Sequence, residues 1–322
     1  MRLVRLSILI AVLASTVCLY SQTDVMPLIQ SGHADLALQA LRLQIQKNPI
    51  NARPYNLLCR VQYQLENWDD AIQAAEKAVA LSPQDSGYHQ WLARSYGRKA
   101  ETSNPFTALG LVRKVKSEFE KAVALDPDGK NLSSREDLAE FYIQAPYFMG
   151  GDKGKARQLA TFLLDRDRPL ALFIQGRVEE KQNGKQPAEQ KYQAALQASG
   201  NLAGYWVALA AFYRRTGNLD AMETSITKSL QAPRSGAISL FNAASLLLNS
   251  GRNLQEAVNL LRQYLSLNDP NEDGPAFQAH YLIGVLLEKQ GERKAASDEY
   301  RAALALASHY HAAQEALNRL NR

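Results

Sequence analysis

The stretch of this chain that comes nearest to chemistry is Gly150-Gly151-Asp152-Lys153-Gly154-Lys155-Ala156. A glycine-rich run ending in Gly-Lys is the pattern that cradles a phosphate between backbone amides and a lysine. The spacing fails here. Counting back from Gly154-Lys155 puts Met149 where the first glycine belongs, Ala156 stands where a magnesium-binding hydroxyl would be needed, and no strand pattern precedes the run. The five histidines, His33, His89, His280, His309 and His311, form no His-Glu-x-x-His and no paired Cys/His spacing. His309 and His311 lie two apart, so on a helix they face different directions. The sequence contains neither a Gly-x-Ser-x-Gly elbow nor a dinucleotide fingerprint after a strand. Asp69-Asp70 and Glu179-Glu180 read as solvated helix faces. The expectation is therefore no catalytic residue, no metal site and no cofactor: not an enzyme.

Charge points the same way. The chain carries 37 Lys and Arg against 32 Asp and Glu, a net +5, and the excess forms no Lys/Arg-rich run of the kind that grips nucleic acid. With 46% apolar and 21% charged residues it has the makeup of a folded protein rather than a disordered one. The first residues stand apart. Arg2 and Arg5 give a short basic start and Leu6–Tyr20 is apolar apart from Ser and Thr, a run shorter than the roughly 20 residues that cross a bilayer. We read residues 1–21 as a signal peptide, which predicts a periplasmic or secreted protein with no stable membrane span after cleavage. An uncleaved anchor would still leave the rest of the chain on the far side of the membrane. Of the two cysteines, Cys18 lies in this segment, so the mature chain holds one thiol, Cys59, and no internal disulfide.

From residue 23 onward the pattern is helices and short connectors, repeating with a period of about 34 residues. The repeat is clearest in Ala52–Asp85 and Phe277–Tyr310. In the first, Tyr55, Leu58 and Val61–Tyr63 line one helix, a turn falls at Glu66-Asn67, and Ala71, Ala75 and Ala78 put a small-residue face on a second helix running from Trp68 to Leu81. Ser82-Pro83 ends that helix, since Pro disfavours helical geometry in the residue before it. The same signal recurs at Asp126-Pro127, Arg168-Pro169, Ala232-Pro233 and Asp269-Pro270, and Gly32, Gly184, Gly217, Gly251 and Gly291 mark turns inside the hairpins. Units begin near 52, 86, 132, 169, 203, 237 and 277, preceded by a half-unit 22–51 and followed by an amphipathic capping helix 309–322. Cys59 takes the eighth position of its unit, where a small residue lets two helices approach.

On these residues the chain resembles the tetratricopeptide repeat proteins. The resemblance implies an all-α right-handed superhelical solenoid of about seven antiparallel helix hairpins, forming a single solenoid over 22–322. It also implies a concave groove lined by the first helix of each hairpin. Carried onto this sequence, the groove residues are Arg53, Asn56, Arg60, Tyr63 and Gln64 in one unit, then Gln90, Arg94 and Arg98, then Phe173, Arg177, Glu180 and Lys181. They continue with Arg214 and Arg215, then the apolar Ile238, Phe241 and Leu248, and finally Tyr281, Val285, Glu288 and Lys289. Arg60, Arg94 and Arg98 could pair with the carboxylates of a partner or with neighbouring helices. Arg60 stands where chaperone-binding relatives place a clamp asparagine.

Two units depart from the period. The one beginning at 86 has about ten extra residues around Thr102-Ser103-Asn104-Pro105, followed by a long helix through Leu109–Leu125. The next inserts Gln144–Gly151 before a helix capped by Asp152. This insertion is similar to the Pro-x-x-x-Gly-Gly of some exported bacterial repeat proteins. It is either an irregular turn that bends the superhelix or a loop whose exposed Tyr147, Phe148 and Met149 reach a partner or a membrane. The reading is a non-catalytic scaffold that binds a peptide segment or partner protein, with acidic groups, at Asn56, Arg60, Tyr63, Gln90, Arg94, Arg98, Tyr147 and Phe148. The alternative is a small-molecule or lipid-binding accessory subunit of an envelope transport system, marked by a closed apolar cavity.

Overall fold

The computed structural model describes residues 24–269 and 271–320; the expected signal segment and Cys18 lie outside them. Among the described residues there are seventeen α-helices, one 3-10 turn and no strand. A half-unit of α1 (Met26–Gln30) and α2 (Ala34–Lys47) opens the array. The hairpins α3 (Ala52–Gln64) with α4 (Trp68–Leu81), α5 (Ser86–Glu101) with α6 (Pro105–Ala124), and α7 (Leu132–Gln144) with α8 (Lys153–Leu163) follow. Next come α9 (Arg168–Gln182) with α10 (Lys185–Ala198), α11 (Ala203–Arg215) with α12 (Leu219–Gln231), and α13 (Ile238–Ser250) with α14 (Leu254–Ser266). The last hairpin is α15 (Ala276–Lys289) with α16 (Arg293–Leu306), and α17 (His311–Leu320) ends the described chain. Each helix packs on its hairpin partner and on the next hairpin, which makes a helical solenoid.

One small residue per hairpin sets the spacing. The eighth position of the first helix is Cys59, Ala93, Ala139, Gly176, Ala210, Ala244 and Gly284 in turn, and every one is buried. At the two glycines the reason is visible. A methyl group on Gly284 would sit 2.4 Å from the Tyr300 ring, and one on Gly176 would sit 3.2 Å from the Tyr192 ring. Cys59 fills the same role as a small apolar group, its Sγ 3.3 Å from Ser95 Oγ; burial pushes its thiol up to about 12, far from the reactive thiolate. Helix starts are fixed locally. Asn51, Asp85, Asn104, Asp152, Asp167 and Asn218 each accept a backbone N–H of the first turn of their helix. Asn104 with Pro105 starts α6 at Pro105 rather than near Leu109, so the extra residues of this unit lengthen both helices of its hairpin. Arg168-Pro169 opens α9 instead of closing a helix; the cap there is Asp167, and α8 has already ended at Leu163.

The two ends of the array meet. Val25, Ile29, Ala34, Ala37, Leu38 and Leu41 from the half-unit share one buried cluster with Phe277, Ala303, Ala307, Tyr310 and Ala313. The amphipathic α17 buries one side, Ala313 facing the half-unit while Ala316, Leu317 and Leu320 join the core of the hairpins before it. Polar contacts follow the same seam. Asp35 accepts the Ser308 N–H at 2.9 Å, Gln278 donates to the Gln64 carbonyl at 2.8 Å, and Tyr310 Oη donates to Glu66 at 3.3 Å. Glu66 occupies the turn between α3 and α4 with φ +63°, where four of the other hairpins use glycine. Gly32 lies so near the opposite end that a Cβ there would fall 2.5 Å from the Ala276 nitrogen, and its φ is +75°. Gly32→Val is therefore expected to part the seam while leaving each hairpin intact. Helicity by circular dichroism should change little, thermal stability should fall, and small-angle scattering should show a larger radius of gyration; an unchanged radius would mean that the seam tolerates the side chain.

Candidate functional site

The inner face of the solenoid is built from the first helices of successive hairpins, and its side chains are tied into a ladder of charge. Arg94 on α5 holds Asp137 on α7 in a fork, with Nε 2.6 Å from one carboxylate oxygen and a terminal nitrogen 3.2 Å from the other. Glu140 on α7 receives two hydrogen bonds from Arg177 on α9, which is itself 3.3 Å from Glu180. Glu180 receives Arg215 of α11 through two nitrogens at 2.8 and 2.9 Å and the Tyr192 hydroxyl at 2.8 Å. Burial works to lower the pKa of Arg94 and of Arg177, but the carboxylates of Asp137 and Glu140 outweigh it and hold both guanidinium groups above their usual range. The ladder thus links α5 to α7 and α7 through α9 to α11.

Towards the seam the same face becomes an aromatic and cationic groove. The Tyr63 ring meets Trp68 and Trp91 edge-on, with centroids 5.4 and 5.5 Å apart. The guanidinium groups of Arg60 and Arg94 lie 5.2 and 5.0 Å from the Trp91 centroid, and that of Arg98 lies 5.1 Å from Trp68. A cavity of about 310 Å³ opens here, lined by Tyr63, Gln64, Trp68, Trp91, Arg98 and, from the other end of the chain, Glu272, Asp273 and Gln278.

The groove holds a segment of its own chain. Arg60 donates through Nε, at 2.8 Å, and through a terminal nitrogen, at 2.5 Å, to one carboxylate oxygen of Glu272. Gln64 Nε2 donates to the Glu272 main-chain carbonyl at 2.9 Å. Further along the connector, the Tyr264 hydroxyl donates to the Gly274 carbonyl at 2.5 Å, and Gly274 lies against Ile238 and Phe241, where a Cβ would come 2.8 Å from Ile238 Cδ1. The acidic connector between α14 and α15 therefore covers both Arg60 and part of the apolar lining.

The structure gathers Arg60, Tyr63, Arg94 and Arg98 around Trp68 and Trp91. Gln90 is buried in a network with Asn131, Ser133 and Asp137, and Asn56 is buried with no hydrogen-bond partner for its Nδ2. Tyr147 and Phe148 stand apart from the groove, on the 3-10 turn between α7 and α8, 88% and 78% exposed. The arginines are paired within the molecule: Arg60 with Glu272, Arg94 with Asp137, and Arg98 with Glu101. Reading the sequence gave no site role to Trp68, to Trp91 or to the connector between α14 and α15. The signal for the connector was present, because the unit starting at 237 runs 40 residues before the next begins, six more than the period. Among the described residues, no cluster of three or more His, Cys, Asp or Glu is arranged to hold a metal.

One inner carboxyl is left outside the ladder. Glu136 on α7 has its pKa pushed up from 4.5 to about 7, first by burial and then by the negative charge of Asp137, against the pull of Arg94 and with help from Glu140 and Asp167. A raised carboxyl keeps its proton in the folded state and loses it earlier in the unfolded one. Stability is then greatest below about pH 4.5 and falls as the pH rises towards about 7. Glu136→Gln should abolish that decline, raising stability by up to roughly 3 kcal/mol at pH 8 and leaving it unchanged near pH 4 in urea titrations.

Comparisons with known proteins agree with this architecture. Tetratricopeptide repeat profiles match residues 28–94 and 241–311, so the chain carries tetratricopeptide repeats in both halves. The structure is similar to that of yeast Tom70, with a TM-score of 0.54 and 18% identity, over 89% of this chain; the chain spans 58% of the length of that protein. It is also similar to a tetratricopeptide repeat protein from Parabacteroides merdae, with a TM-score of 0.45 and 14% identity, over 92% of this chain and 99% of that one. No curated protein matches the sequence. Repeats of this type generally serve as protein-interaction scaffolds and are typically non-catalytic.

Proposed function

We propose that the protein is a non-catalytic scaffold, working outside the cytoplasm, that holds an acidic, extended segment of a partner protein in the groove between α3 and α5. The observation that carries this reading is the way the groove treats its own connector. Arg60 takes the Glu272 carboxylate while Gln64 takes the carbonyl of the same residue, so side chain and main chain are recognised together. Trp91 and Trp68 supply flat surfaces for neighbouring side chains, and their rings are already polarised by three guanidinium groups. A partner segment would displace the connector from Arg60 and continue towards Ile238 and Phe241, which lie beneath Gly274. The export half of the proposal rests on Arg2, Arg5 and the apolar run Leu6–Tyr20.

Because the connector occupies the groove, its apparent affinity for a partner is reduced by the fraction of time that the connector stays bound. A fluorescent peptide with the sequence of residues 268–275, titrated against the folded protein by anisotropy, tests the site. Glu272→Gln with Asp273→Asn in the protein should tighten binding by about tenfold, and Arg60→Glu should abolish it. If the peptide binds the Arg60→Glu protein as well as the unaltered one, the groove is not the binding site.

A further inference from the structure

Away from the groove, three aromatic or apolar side chains stand out into solvent on one rim. Phe106 is 92% exposed, Tyr147 88% and Phe148 78%, while most large apolar side chains elsewhere are buried or half-buried. They belong to neighbouring hairpins. Phe106 is at the start of α6, and Tyr147 and Phe148 are on the 3-10 turn, which packs on the flank of α6: a Cβ on Gly150 would fall 2.8 Å from the Lys116 side chain. From Lys116 to Phe106 the helix climbs ten residues, about 15 Å, beyond that contact.

The exposure is built in. Met149 N–H and Gly151 N–H both donate to the Pro146 carbonyl, Gly150 N–H to that of Tyr147, and Asp152 N–H to that of Tyr142. Gly151 presses so closely on the Ala145 carbonyl that a Cβ would lie 1.8 Å away, and Gly150 has φ +94°. A turn held this firmly presents Tyr147 and Phe148 outward in a fixed conformation.

The surroundings are cationic. Residues 98–116 and 145–157 together carry eight Lys or Arg against two Asp or Glu. Five of the eight are paired, Arg98 with Glu101, Lys99 with Asp69, Lys116 and Lys155 with Glu120, and Arg157 with Glu179, which leaves Arg113, Lys114 and Lys153 to face outward. One of the two carboxylates, Asp152, is spent as the cap of α8. Among the described residues Arg113 and Lys153 make no ion pair, and Lys114 rests over the Tyr96 ring, its Nζ 4.8 Å from the centroid. Arg113 follows Phe106 by seven residues and shares the exposed face of α6.

We infer that this rim is a docking surface for an anionic lipid bilayer. Each of the three rings is more than three-quarters exposed, and Tyr147 and Phe148 stand side by side on one turn. Aromatic rings beside lysine and arginine match the headgroup region, where rings settle at the interface and cations meet lipid phosphates. No described helix is long and apolar enough to cross a membrane.

The test is co-sedimentation of the folded protein with sucrose-loaded vesicles of phosphatidylcholine, with and without roughly 30 mol% phosphatidylglycerol. Binding is expected only to the anionic vesicles, weakening as salt is raised. Phe106→Ser, Tyr147→Ser and Phe148→Ser combined should weaken it about tenfold, as should Arg113→Gln, Lys114→Gln and Lys153→Gln combined. All six positions are exposed or half-buried, so circular dichroism should match the unaltered protein. Failure of the unaltered protein to sediment with anionic vesicles overturns the inference. So does full binding by the aromatic variant, which would reduce the effect to adsorption by charge alone.

Discussion

The whole molecule depends on two helices approaching closely at one small residue in each hairpin. Cys59, Ala93, Ala139, Gly176, Ala210, Ala244 and Gly284 let the second helix lie against the first, and rings such as Tyr192 and Tyr300 fill the space that remains. A larger residue would force the pair apart, and because each hairpin seats the next, the displacement would pass along the array. The inner ladder needs the same spacing. Arg177 can reach Glu140, and Arg215 can reach Glu180, only when α7, α9 and α11 keep their separation.

The seam applies that logic to the ends. Solenoids usually protect their terminal cores with polar caps. Here the half-unit and the last hairpin bury each other's apolar faces instead, and Tyr310 meets Phe277 and Tyr281 edge-on at the join, with centroids 5.0 and 5.4 Å apart. The acidic connector reaches the groove because the join brings residue 272 beside residue 60. Closure of the array and occupation of the groove are one structural event.

Much of this was legible in the sequence, and the limit is physical. Hairpins rest on contacts between residues three, four or some twenty apart, so the spacing of Ala71, Ala75 and Ala78 or the glycines of the turns displays them directly. The helix from Trp68 to Leu81 falls where that spacing put it. Arg60 is placed on the inner face by the resemblance to tetratricopeptide repeats. Its partner cannot be placed so, because Glu272 is 212 residues away in a connector that follows no period. The apolar faces of Ile29 and Ala34 likewise read as core whatever covers them. Tyr147 and Phe148 were easier: a Pro and two Gly around them signal a tight turn, and a tight turn has little room to bury a ring.

Local and distant contacts also differ in when they form. Nearly all packing in this chain joins neighbours in sequence, which favours rapid folding that starts at any hairpin and spreads. The seam alone requires closure of a loop of more than two hundred residues, a cost in chain entropy that must be met before any of its contacts gain. It is therefore the last part of the molecule to assemble and the first to open under mild denaturant, with the hairpins still intact. Amides at Gly32, Glu66 and Ser308 should exchange hydrogen sooner than those inside α9 or α11, and the opened form is the one in which the groove is free.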